Sequence, residues 1–338
     1  IIRVFDALND TRNLEKSIQV AKAAKVHVQG AFVYTISPIH TTENFLHVAK
    51  ELVEMGVDSL CIKDMSGLLA PFDAYDLVKA LKENFDLPLA IHTHSTCGLG
   101  SMAYLKAVEA GVDIIDTALS PFALSTSQPA TESMIMSFEN TPYDTGINEK
   151  SLLKLADYFK QVKKDLAEEF KLNMDTQINP AVREYQIPGG MLTNLYNQLK
   201  EQGAADRFDE VLAEMPNVRK DLGYPPLVTP TSQITGSMAA LNVLFGRYKI
   251  VPNEVKEIVR GNYGRVPGEI TDEFRKMIIG DEPVIDHRPA DDIAPEIEKA
   301  KQELAAKGFP GLPMEDVLSY VLFPEVALQF FEKRKTNK

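Results

Sequence analysis

The chain is short of cysteine, of long apolar runs and of basic charge, and each shortage excludes a class of function. Two cysteines, Cys61 and Cys97, in 338 residues cannot build a disulfide framework and suit a reducing, cytoplasmic compartment. No apolar stretch nears the roughly 20 residues that a membrane span needs, and no signal-peptide pattern is recognisable. Lysine and arginine number 36 against 48 aspartates and glutamates, a net charge of −12. That balance argues against nucleic acid or an anionic membrane as the main partner. No segment is of low complexity. What is left is an ordinary globular composition, 44% hydrophobic and 25% charged. The chain is long enough for one large α/β domain and a smaller one.

Residues 1–140 repeat one unit. Short β-rich runs at 2–5, 26–34, 59–62, 87–92 and 112–118 alternate with helical stretches at 14–24, 42–55, 72–85, 100–110 and 132–139. Gly56 and Gly111 stand where helix C-caps are expected, each followed by Val-Asp and the next run. Strands about 25–30 residues apart with helices between them predict βαβ units and a parallel sheet. Polar residues gather at the end of every run: Asp6, Thr35, Lys63 with Asp64, His92 with His94, and Asp116 with Thr117. Contributions from every strand end predict the mouth of a (β/α)8 TIM barrel. A doubly wound sheet would concentrate them at one switch point. Five units are visible where a closed barrel has eight, and the chain opens inside a run without a methionine. About three N-terminal units are therefore expected to be missing.

Residues 141–338 form a second, helical part. Helices are expected at 152–170, 190–201, 207–222, 232–245, 253–260, 272–279, 294–307 and 314–333, separated by Pro-rich joints such as 224–230. The charged tail at 332–338 is expected to fray.

The chemistry concentrates in Lys63-Asp64-Met65 and His92-Thr93-His94. A strand turns successive side chains to opposite faces, so His92 and His94 point the same way. Two imidazoles on one face at a strand end are half of a divalent-metal site. A lysine one βα unit upstream would repel a metal as an ammonium. Desolvated and neutral, its amine can take up CO2 and become a carbamate, an anionic oxygen ligand. That combination points to enolate chemistry on a metal.

Blander readings stand beside each residue. The histidines could simply be hydrogen-bonded in a polar strand end, or could join Cys97 on zinc; Cys97, in the loop before Gly98, reads better as a small buried residue. Lys63 could be a surface lysine paired with Asp64. Met65-Ser66-Gly67 reads as a tight turn of the kind used where backbone approaches a ligand closely. Thr229, held extended by Pro230, could with Thr231 and Ser232 cap the following helix. Thr193 falls in the first turn of another helix entry. Asp6 and Asp64 are weaker candidates: Asp6 could support the site from behind its ligands or sit in a solvated loop.

Several segments together resemble a known family: Arg3 to Asp10, Tyr34 to Pro38, Ile62 to Leu68, His92-Thr93-His94, Pro188 to Asn194 and Val228 to Ile234. They are similar to the carboxyltransferase domain of biotin-dependent enzymes acting on pyruvate and oxaloacetate. That family includes oxaloacetate decarboxylase α subunit, pyruvate carboxylase with its separate B subunit, and transcarboxylase. The stretch from Asp316 to Val326 is most like the stand-alone α and B subunits. The resemblance implies a barrel with a helical extension over its mouth, residues 1–140 supplying five βα units and 141–338 completing the domain. It implies that Lys63 is carbamylated and, with His92 and His94, holds a divalent metal (Zn, Mn or Co). It also implies that Thr229 contacts substrate and shuttles a proton between the substrate methyl carbon and the biotin ring nitrogen. Thr193 resembles a structural position near the mouth.

Two departures from the family pattern bear on this. The fourth metal ligand, an aspartate in an Arg-Asp-x-x-x-Gln-Ser-like segment of the first strand, has no counterpart here, and the pyruvate-binding arginine and tyrosine are also expected outside this chain. No biotinyl domain with its Met-Lys-Met follows residue 338, so biotin is expected on a separate or missing domain. The expected reaction is carboxyl exchange between oxaloacetate or pyruvate and biotin through a metal-stabilised pyruvate enolate, most like the oxaloacetate decarboxylase α subunit. The alternatives are the pyruvate carboxylase B subunit or a transcarboxylase subunit. Rivals from further away are an aldolase-type metallolyase and an inactive docking subunit. The implied partners are a biotinyl carrier domain, a membrane decarboxylase subunit that would hold the protein peripherally at a membrane, and further copies of the chain in a homo-oligomer.

Overall fold

A computed structural model describes residues 1–170, 178–186 and 189–336, and the side chains of Glu184, Leu192 and Thr193 lie outside that description. Strands and helices alternate through the first part: β1 (Ile2–Val4), α1 (Glu15–Ala23), β2 (Val28–Val33), α2 (Thr42–Glu54), β3 (Ser59–Asp64), α3 (Pro71–Asn84), β4 (Leu89–Thr93), α4 (Gly100–Glu109), β5 (Ile114–Ile115) and α5 (Thr131–Phe138). Among the described residues the strands form one five-stranded sheet in sequential order, every pair parallel. This is the βαβ pattern predicted by the spacing.

The two faces of the sheet differ in chemistry. One carries Val28, Phe32, Leu60, Ile62, Leu89 and Ile91, all buried in a core with Leu52, Leu81 and Tyr104 from the helices. Each such side chain contributes about 1.5–3 kcal/mol by leaving water. Gly30 permits this packing, since a Cβ there would come within 2.9 Å of Val57 Cγ1 and 3.3 Å of Leu52 Cβ. The opposite face carries small residues at its centre, the buried cluster Ala31, Cys61 and Ala90.

The fifth strand is shorter than the predicted 112–118 run, only Ile114–Ile115. Asp113 and Asp116 on either side still donate to Leu89 O and Ile91 O of β4, but the residues beyond them are otherwise engaged. Val112 N–H donates to Ala107 O at the end of α4, and Ala118 pairs with Ala130 instead of β4. Asp113 accepts from Leu89 N–H and Lys82.

Helices follow: α6 (Glu149–Phe170), α7 (Val182–Tyr185), α8 (Gly189–Glu201), α9 (Phe208–Asp221), α10 (Thr231–Phe245), α11 (Asn253–Arg260), α12 (Asp272–Ile279), α13 (Ile297–Ala306), α14 (Met314–Leu322) and α15 (Pro324–Thr336). The change of element type near residue 140 does not divide the fold, because one compact unit runs from Ile1 to His287 and a second from Arg288 to Lys338. The second unit has its own core, with Leu304, Phe309, Val317, Tyr320 and Phe331. The single helix predicted over 314–333 is two helices. Pro324 lacks an N–H and pushes Phe323 out of helical backbone, to φ −143° and ψ 66°. The tail predicted to fray is helical through Thr336, with Arg334 paired to Asp316 at 2.5 Å. Among the described residues no helix is long and apolar enough to cross a membrane.

Candidate active site

The parallel register sets Val33, Lys63 and His92 side by side across β2, β3 and β4. Lys63 is inside β3 rather than beyond its end, and its Nζ stands 4.9 Å from the Phe5 ring centroid. Burial lowers the Lys63 pKa, and the nearby Arg3 cation lowers it further. The amine is pushed towards the neutral form that reacts with CO2.

The imidazoles of His92 and His94 lie 5.2 Å apart, centroid to centroid. Asp116 Oδ2 is 2.8 Å from His92 Nδ1, and the Gln128 side-chain amide lies 3.2 Å from His92 Nε2. A carboxylate only accepts, so the network assigns the proton to Nδ1 and leaves the lone pair on Nε2. Ligating histidines are characteristically oriented by a carboxylate in this way. Burial, His92 and Lys63 together push the His94 pKa down to about 4, so this ring is neutral at pH 7. A pair of imidazoles presenting lone pairs fits a divalent metal. Among the described residues no group of three or more His, Cys, Asp or Glu side chains is arranged to hold one, so Lys63 is the protein group at hand to add a further ligand.

The Arg3–Asp116 pair is not evident from the sequence. Arg3 donates to Asp116 Oδ2 at 2.5 Å and to Gln29 Oε1 at 2.5 Å. Burial alone would raise the Asp116 carboxyl, but hydrogen bonds from His92 and Arg3 outweigh it and pull the pKa down to about 2. A guanidinium therefore stands beside the lysine and histidines, although the substrate arginine is expected outside the chain. The available signals were Asp116 among the polar strand ends and Arg3 within a family-like segment.

The remaining candidates divide into those near the ligands and those that shape loops. Asp64 is fully buried and accepts from Leu68 N–H (3.0 Å), Leu69 N–H (2.9 Å) and Thr93 Oγ1 (2.6 Å). It shapes the turn after β3, and its backbone O receives the His94 N–H at 3.0 Å. The turn itself is as tight as predicted: Gly67 has φ +71°, and a Cβ there would sit 2.6 Å from His94 O. Asp6 accepts from Leu8 N–H, Asp10 N–H and Asn13, which makes it an organiser of the loop after β1. Cys97 is a buried core residue.

Thr229 is exposed, and no side-chain hydrogen bond engages it among the described residues. The bonds that order the start of α10 come from Thr231, whose Oγ1 donates to Pro226 O and to Val228 O (2.8 Å). Ser66 Oγ, after β3, bonds Leu227 O at 3.4 Å, which ties the Thr229 segment to the loop following Lys63. A cleft of about 490 Å³ beside α10 is lined by Asn194, Gln198, Gln233 and Ser237. The Thr193 side chain lies outside the described residues.

Known proteins match this arrangement from end to end. A family model described as HMGL-like matches residues 7–159, and one described as a conserved carboxylase domain matches residues 182–338. The pyruvate carboxylase B subunit of Methanocaldococcus jannaschii is 52% identical over 336 residues, covering 98% of this chain and 58% of that protein. The chain belongs to the family of biotin-dependent carboxyltransferase domains. Within that family, the methylmalonyl-CoA carboxyltransferase 5S subunit of Propionibacterium freudenreichii subsp. shermanii is 44% identical over 340 residues, 99% of this chain and 66% of the relative. The carboxyl transferase domain of Rhizobium etli pyruvate carboxylase, solved with pyruvate and biocytin, superposes with a TM-score of 0.91 at 26% identity. It covers 99% of this chain and 59% of that one. This chain thus spans about three-fifths of the length of its Methanocaldococcus relative.

Proposed function

We propose that this chain supplies the carboxyltransferase site of a biotin-dependent enzyme acting on pyruvate, either a pyruvate carboxylase of the two-subunit type or a transcarboxylase. The relatives favour that reading over oxaloacetate decarboxylase, the type expected from sequence. The observation that carries it is the gathering of Lys63 and His92 on one face of a parallel sheet, with His94 beside His92, and Asp116 bonded to both His92 and Arg3. The strand order and the small residues on one sheet face support an arc of a (β/α)8 barrel whose interior holds these groups.

His92 and His94 would hold the metal, with Lys63 as its carbamate: the amine adds to CO2 and releases a proton, leaving an oxygen ligand. A bound divalent ion supplies Lewis-acid stabilisation of the charge that develops on the substrate oxygen. Arg3, with Nε on Gln29 and one terminal nitrogen on Asp116, would offer its other terminal nitrogen to a substrate carboxylate. Thr229 takes a proton from the substrate methyl group and passes one to the biotin ring nitrogen, while the carboxyl moves from that nitrogen to the methyl carbon. Its hydroxyl, exposed and unengaged among the described residues, supports this role. The amide-lined cleft beside α10 suits a ureido ring delivered by a biotinyl carrier.

The test is carboxylation of pyruvate by the complete enzyme with its biotin carrier, with and without avidin. Avidin should abolish turnover. Metal-dependent turnover that ignores avidin would instead favour an aldolase-type lyase.

A further inference from the structure

Arg219, near the end of α9, is only 5% exposed, yet its guanidinium meets no carboxylate among the described residues. Its Nε donates to Pro225 O at 2.8 Å. One terminal nitrogen donates to Ile36 O at 2.8 Å and to Gln186 Oε1, and the other to Thr35 Oγ1 at 3.0 Å. Burial pulls this guanidinium down to about 10. A buried cation without an anion is costly. What a guanidinium offers in return is a planar fork of five donors, which lysine cannot reproduce.

The acceptors come from three separate segments. Thr35 and Ile36 follow β2, Gln186 follows α7, and Pro225 lies in the 224–230 joint that carries Thr229. Ser66, after β3, bonds the same joint at Leu227 O. The joint itself is rich in proline and makes no strand or helix. Buried Leu227 and the Thr231 bonds to Pro226 O and Val228 O hold it locally, while Arg219 and Ser66 tie it to the segments after β2 and β3.

We infer that Arg219 is a positioning residue for carboxyl transfer, fixing the 224–230 joint, and with it the Thr229 hydroxyl, against the segment that follows β2 and against Gln186 after α7. The inference rests on the reading of Thr229 as the proton shuttle.

The experiment compares Arg219→Lys, Thr229→Ala and the double variant in the complete enzyme with its carrier. The readouts are kcat, KM for pyruvate, metal content and Tm. Loss of the clamp should lower kcat by about 10²-fold, the scale of a misplacement near 1 Å, with metal content and pyruvate KM close to parental. The double variant should be no slower than Thr229→Ala alone, because both changes remove one function. A parental kcat in Arg219→Lys overturns the inference, as does an additive loss in the double variant. A fully active Thr229→Ala protein overturns the shuttle reading and the positioning role together, and that single variant identifies the cause. If Arg219→Lys does not fold, Thr35→Val carries the test, since it deletes one acceptor and keeps the shape. It should lower kcat and add nothing to Thr229→Ala; an unchanged kcat overturns the inference.

Discussion

Replacing Asp116 by asparagine tests the arrangement of the site at its least legible point. The carboxylate accepts from both His92 Nδ1 (2.8 Å) and Arg3 (2.5 Å), and its side chain is 26% exposed. Burial disfavours the charge, yet the two hydrogen bonds bring the pKa from an ordinary 3.8 to about 2, worth roughly 2–3 kcal/mol. A depressed carboxyl contributes fully above its unfolded pKa and loses that contribution as pH falls through about 2. All of it is present at pH 7. Asparagine keeps the shape but removes the charge, so Arg3 is left half-buried without an anion and Nδ1 loses its charged acceptor. The variant should melt about 5 °C lower and bind metal about 10–100-fold more weakly. Scanning calorimetry and competition with a chelator read the two effects. Asp113→Asn is the control, because Asp113 bonds Lys82 and Leu89 instead and should not alter metal affinity. Parental Tm and metal affinity in Asp116→Asn would refute the argument that this carboxylate orients His92.

Three further outcomes follow from the same geometry. Lys63→Arg keeps the positive charge but cannot form a carbamate, so it should lose metal and turnover; metal analysis and full activity would expose an error. Gly67→Ala must adopt φ +71° and set a Cβ 2.6 Å from His94 O, costing roughly 1–2 kcal/mol from backbone alone and weakening metal binding, both measurable by melting and titration. Thr229→Ala should slow carboxyl transfer by about 10²–10⁴ with little change in Tm, because Thr231 makes the bonds at the start of α10. Thr229→Ser should retain part of the rate, and alanine turning over near parental speed would remove Thr229 from the mechanism and make Thr193 the next hydroxyl to test.

What could be read from the chain was local. Alternating runs and C-cap glycines gave the βαβ order, and the two-residue spacing of His92 and His94 gave a shared face. Lys63 joined them through register, since one βα unit brings Val33, Lys63 and His92 into a row. The Arg3–Asp116 pair is separated by 113 residues, and no periodicity connects such positions. The β5 run looked like a full strand because its apolar pattern continues. Beyond Asp113 and Asp116, which still bond β4, the run is taken up by the end of α4 and by the Ala118–Ala130 bridge. The break at Pro324 was legible in principle, but the apolar spacing on both sides runs through it and disguised two helices as one.

The proposed site is also composite in a way that explains why neither half of the sequence announces it alone. The HMGL-like half carries the lysine and the histidines, with Arg3 just ahead of it; the conserved carboxylase half carries Thr229. Metal ligands can sit on strands because sheet hydrogen bonds fix their backbone. The proposed shuttle, Thr229 in a proline-rich joint, has no such ladder; Thr231 holds the joint locally and side chains from elsewhere tie it to the strands. Arg219 supplies bonds to the segment after β2 and Ser66 supplies one from the segment after β3. These bonds span more than 160 residues of sequence, so they form only once both halves have folded. Metal binding should therefore tolerate damage to the joint, whereas carboxyl transfer should not. Measuring metal content and kcat separately in Arg219→Lys gives that distinction directly, and parallel loss of both would mean that the joint also holds up the strand ends.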